Sequence, residues 1–132
     1  KLKISGLDIS KYAVKSSKKE VKKNIFQHNI KNNLPFKDMY FDLTISINCL
    51  HNLQIFDLKL AVQEIERVGK GKSFITLASY SDEEDYWLFK DWTLIGSTIL
   101  KKEEWLEILK AANYSGDYYF TNSKTLNIAR KK

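Results

Sequence analysis

One helical period framed by two strand-like runs constrains this chain more than any other feature. Residues 41–47 are apolar and β-branched, as a strand covered on both faces should be. Leu58, Ala61, Val62, Ile65 and Val68 then recur at helical spacing, with Asp57 ahead of them as the expected N-cap and Gly69 behind them as the helix stop. Ser73–Ala78 resumes as strand. A strand, a helix and a second strand in that order are the unit from which parallel sheets are wound, with a right-handed crossover.

The alternation extends in both directions. Residues 3–8 read as a short strand, Ser10 as the cap of a helix over residues 11–23, Ile25–Gln27 as an extended piece, and residues 29–35 as loop, with Pro35 the only proline. Beyond Ser79 the period lapses through Tyr80, Tyr86, Trp87, Phe89 and Trp92, an aromatic and acidic stretch that reads as an insertion spanning residues 80–100. Trp105, Ile108, Leu109 and Ala112 mark a last helix, with Asn113 as its left-handed end, and Trp92 and Trp105 are expected in the core. Asp117–Thr121 and residues 125–129 read as two strands joined by a turn at Asn122 and Ser123. The expected fold is α/β: a three-layer sheet, mostly parallel, with a C-terminal antiparallel hairpin. Because Lys1 leads at once into an apolar pattern, the chain also reads as the N-terminally truncated part of something longer.

Charge and cysteine usage narrow the partners. The formal charge of +6 comes largely from six lysines against one glutamate in residues 11–23 and from Arg130, Lys131 and Lys132. Tyr12 is the only aromatic among those first lysines, so a solvated face accounts for them better than a single-strand nucleic-acid platform. The lone cysteine, Cys49, lies in an apolar run and implies a reducing, cytoplasmic setting. No apolar stretch approaches the roughly 18 residues of a membrane span. Cys49, His51 and His28 do not complete a metal-ligand set. Gly69, Lys70 and Gly71 form a helix stop rather than a phosphate cradle.

In a doubly wound sheet, ligands sit beyond the carboxyl ends of the strands. Asp8 closes the first strand immediately before a helix, where a carboxylate can accept from both hydroxyls of a ribose or simply favour the helix N-terminus. Asn29 and Asn48 each follow a strand, where an amide can read a base edge or satisfy a loop. His51 has the chemistry of a general base, but no partner is evident in the sequence, and a structural histidine explains it equally well.

These residues carry a resemblance. Leu34, Pro35 and Phe36, then Phe41 and Asp42, then His51, then the helix end from Glu64 through Arg67 and Val68 to Gly71, resemble a class I S-adenosylmethionine-dependent methyltransferase with a Rossmann-like sheet. The resemblance implies that Asp8, with Ile9 beside it, binds the cofactor's ribose, that Asn29 and Ile30 contact adenine, and that Ser46 and Asn48 lie along the methionine part. It places His51 on the substrate side and makes Tyr80, Tyr86 and Trp87 the substrate lid; no catalytic base is assigned. The family's first strand and Gly-rich loop have no counterpart in these residues, which implies unpaired central edges, self-association through them, and an inactive isolated chain. The expected function is methyl transfer from S-adenosylmethionine to a small-molecule acceptor by a longer enzyme containing this part. A non-catalytic interaction module and an RNA-modifying or RNA-binding protein are the alternatives.

Overall fold

The computed structural model describes residues 2–128. They fall into two compact units that divide after Pro35.

The first unit contains β1 (Gly6–Asp8), α1 (Lys11–Ser16), a 3-10 turn at Lys22–Asn24 and β2 (Ile25–Gln27). β1 and β2 are parallel, with Gly6 opposite Ile25 and Asp8 opposite Gln27. Ser10 caps α1 as expected, its hydroxyl accepting from Ala13 N at 3.2 Å. The helix stops at Ser16 instead of running to residue 23. The Ser17 hydroxyl donates to Val14 O at 2.8 Å, and residues 18–23 offer no apolar face that would reward further turns.

The second unit is a three-stranded parallel sheet in the order β3 (Thr44–Ser46), β4 (Ser73–Ala78), β5 (Asp117–Thr121), with α2 (Ile55–Val68), α3 (Glu83–Trp92) and α4 (Lys102–Ala111). Thr44 lies opposite Ser73 and Ala78 opposite Thr121. All five of the apolar residues that define the α2 period are buried. Gly69 ends the helix, donating to Ile65 O, and a Cβ there would come within 3.1 Å of Thr44 Oγ1. α2 starts earlier than expected, with Gln54 as N-cap and Asp57 inside the first turn, where the helix dipole favours an acid. Arg67 makes two 2.7 Å contacts with Glu64, one of 2.7 Å with Asp38 and one of 2.9 Å with Phe36 O, so the Glu64 and Arg67 pair fastens the segment leading into β3.

Three further expectations are corrected. Residues 41–47 do not form one strand covered on both faces. Phe41 bridges to Gly69, β3 proper is three residues long, and Leu43, Ile45 and Ile47 are each more than half exposed, because among the described residues β3 pairs only with β4. The stretch after Ser79 is not without regular structure: it holds α3, capped by Asp82, whose Oδ1 accepts from Asp85 N at 2.9 Å. Trp92, at the end of that helix, is about half exposed rather than core.

Among the described residues no C-terminal antiparallel strand follows β5. After β5 the chain turns at once, with Asn122 and Thr125 exchanging side-chain to backbone bonds of 2.7 and 2.9 Å. Leu126 and Ile128 then pack against the buried cluster of Ala78, Phe89 and Ile99 instead of pairing with β5. Ala129, the last residue of the expected second strand, lies outside the described residues.

Candidate functional site

In the first unit the parallel register brings the ends of β1 and β2 side by side. His28 N donates to Asp8 O at 3.0 Å, which sets Asp8 and the residues after β2 at the same end of the pair. Asp8 is exposed, and its Oδ1 accepts from Ser10 N at 2.7 Å. A carboxylate offers about four lone-pair sites, so this local bond leaves room for two ribose hydroxyls. Asn29 Oδ1 accepts from Lys31 N at 3.1 Å and so closes its own loop, with Ile30 half-buried between them, whereas Ile9 is exposed.

In the second unit, Asn48, two residues beyond β3, ties that strand's end to the middle of β4 and to the carboxyl end of β5. Its backbone takes the left-handed conformation, φ 47°, which Asn tolerates better than most residues. Its N–H donates to Thr76 Oγ1 at 2.8 Å, and its Oδ1 receives Thr76 Oγ1 at 3.0 Å and Thr121 Oγ1 at 3.3 Å. The loop after β3 is thereby held to β4 and β5. The sequence reading missed Thr76 and Thr121, since threonine within a strand is an ordinary β-former. Close by in sequence, the hydroxyls of Ser46 and Ser79 are buried without a hydrogen-bond partner among the described residues. Replacing Asn48 by Ala should cost about 2 kcal/mol, because it strains the backbone and takes the amide oxygen from two threonine hydroxyls, although Thr76 Oγ1 keeps the backbone N–H of position 48 and Thr121 Oγ1 keeps Leu77 O. Asn48→Gly relieves the strain and should cost about 1 kcal/mol less in urea denaturation.

His51 sits in a 3-10 turn, Leu50–Asn52, and is 3% exposed. Its carbonyl accepts from Ser97 N and Thr98 N, both at 2.9 Å, and its ring meets Phe89 edge-on at 6.0 Å. These are the contacts of a core residue. Burial pushes the imidazole below its ordinary range, so it folds in neutral. The unfolded chain takes up that proton near pH 6.5, and stability should therefore fall as the pH is lowered through about 6.5 toward the depressed native value. A urea midpoint measured at pH 7.5 and 5.5 should drop, and the drop should shrink in His51→Gln.

Tyr80, Tyr86 and Trp87 line an open pocket of about 370 Å³ beyond the end of β4, together with Asp82, Glu83 and Lys101. Tyr80 and Tyr86 meet at 5.1 Å and 72°, Tyr86 and Trp87 at 5.2 Å and 82°. Asp85, which sequence reasoning did not single out, braces this region. It is 3% exposed and accepts from Ser81 N and Ser123 N, both at 2.9 Å. Burial alone would raise its pKa, but the bonds from Ser123 and Ser81 outweigh that and hold the carboxyl below its usual range. The signal available in sequence was the capping pattern of Asp82 followed three residues later by Asp85.

Among the described residues no group of three or more His, Cys, Asp or Glu is placed to hold a metal ion, and no helix is long and apolar enough to cross a membrane. The lysines of residues 11–23 are exposed, and Lys22 Nζ donates to Lys15 O. Comparison with curated proteins and with solved structures yields no match. The family described as a methyltransferase domain matches residues 2–77, more than half of the chain. That span includes β1, β2, β3, α2 and nearly all of β4 and takes in Asp8, Asn29, Ser46 and Asn48. With that match over more than half of its length and parallel strands in both units, the chain belongs to the class I S-adenosylmethionine-dependent methyltransferases.

Proposed function

We propose that the protein transfers a methyl group from S-adenosylmethionine to a small-molecule acceptor. The observation that carries this reading is the placing of chemistry in each unit by itself: Asp8 and Asn29 at the carboxyl ends of β1 and β2, and Asn48, Ser46 and the aromatic pocket at or beyond the carboxyl ends of β3 and β4. In the first unit Asp8 would accept from the ribose hydroxyls while Ile30 and the Asn29 amide meet the adenine. In the second, Ser46 closes β3 two residues before Asn48, and the bonds of Asn48 to Thr76 and Thr121 hold the backbone that would line the methionine part.

When bound, the cofactor supplies a methyl group on a positively charged sulfur. The work left to the chain is alignment: holding the acceptor in line with that carbon and excluding water. Tyr80, Tyr86 and Trp87 supply the apolar wall for the acceptor. No side chain is assigned as a base. Calorimetric titration of the protein with S-adenosylhomocysteine tests the reading. Saturable binding with one-to-one stoichiometry is expected, and an absence of binding at millimolar ligand would overturn it.

A further inference from the structure

We infer that the pocket between the end of β4 and the start of α3 takes an organic ammonium group. Its wall is aromatic, with three rings meeting at near right angles, so a compact group entering the corner meets more than one π-system. Its rim carries two carboxylates, Asp82 and Glu83, against a single ammonium, Lys101. Aromatic faces and surplus negative charge together favour a cation of low hydration, which an alkylated ammonium is.

The chain already shows the preference in its own side chains: Lys101 Nζ stands 5.9 Å from the centre of the Tyr80 ring. A ligand ammonium would take the same kind of place on Tyr86 and Trp87, or displace Lys101 from Tyr80. An anion is disfavoured here even though a helix begins at the pocket. Asp82 caps α3, and Glu83, Glu84 and Asp85 fill its first turn, so the positive end of the helix is already met by carboxylates. The volume of about 370 Å³ suits a headgroup with a short body rather than a polymer.

Calling the ligand the methyl acceptor rests on the proposed function, but the binding itself does not. The test therefore uses no cofactor. Choline chloride and its neutral carbon isostere, 3,3-dimethyl-1-butanol, are titrated into the protein at constant ionic strength while tryptophan fluorescence is followed; inorganic phosphate serves as the anionic probe. Choline should bind saturably and about tenfold more tightly than the isostere. Trp87→Leu keeps an apolar group at a half-exposed position and should weaken choline about tenfold, read by calorimetry. The double variant Asp82→Asn, Glu83→Gln keeps a competent cap and should weaken it several-fold, whereas Lys101→Met, by removing the resident cation, should tighten it. Equal affinity for choline and the isostere, preference for phosphate, or choline binding unchanged in Trp87→Leu would overturn the proposal. Each of those outcomes is independent of whether S-adenosylhomocysteine binds.

Discussion

Trp105→Ala should cost about 3 to 5 kcal/mol, the largest stability loss expected from a single change in the second unit. Trp105 is fully buried on α4, and its indole N–H donates to Ala78 O at 2.6 Å, at the end of β4. Truncation opens a cavity the size of the indole and also leaves a buried carbonyl without its donor. Against a total stability of about 5 to 15 kcal/mol, such a loss leaves a marginal fold. Trp105→Phe separates the two contributions, because it keeps most of the volume and loses the donor, and should cost about 1 to 3 kcal/mol. Urea denaturation at pH 7.5 measures both. If Trp105→Phe unfolds at the wild-type midpoint, the bond to Ala78 contributes nothing. The consequence reaches the pocket, since Ala78 leads directly into Ser79 and Tyr80.

The parts of the fold that could be read from sequence are those in which one physical requirement dominated. α2 buries its whole apolar stripe, so its period was intact in the sequence; Gly69 ends α2 where a Cβ would crowd Thr44, and Asn113 follows α4 in the left-handed conformation. α3 was obscured because one of its buried positions is a carboxylate. Asp85 and Phe89 lie one turn apart and both are buried, but an acid in the stripe breaks the apolar pattern. Asp85 is tolerated because Ser81, four residues before it, and Ser123, 38 residues after it, donate to it, and the second partner is invisible to local pattern.

The hairpin failed for a related reason. Residues 125–128 have strand-like composition, but Leu126 and Ile128 are drawn to the Ala78, Phe89 and Ile99 cluster, a tertiary demand that local propensity does not reveal. The candidate site divides in the same way. For Asp8 the sequence shows its place between a strand and a helix, and the structure adds its bond from Ser10 N, which suits an acid at a helix entry as well as a ribose acceptor. Asn48 was legible only as a residue after a strand; its role as a hub depends on Thr76 and Thr121, which the register alone brings together. His51 read equally well as a base or as a structural residue, and its burial, 3% exposed, is something residue type could not reveal.

Asp8→Ala should weaken S-adenosylhomocysteine binding by about 2 kcal/mol, roughly thirtyfold, if the carboxylate accepts from both ribose hydroxyls. The unliganded protein should barely register the change. Asp8 is exposed, so the Ser10 N–H released from it can turn to water, and Ser10 itself still caps α1 through Ala13 N. Asp8→Asn sharpens the test. An amide oxygen can keep the bond to Ser10 N and one ribose hydroxyl, but the charge is gone, so an intermediate loss of about 1 kcal/mol is expected. The measurement is calorimetric titration of wild type and both variants with S-adenosylhomocysteine, alongside urea midpoints to confirm unchanged folding. Equal affinity in all three proteins would remove Asp8 from the cofactor site and leave it with the role its bond to Ser10 already shows, shaping the entry to α1.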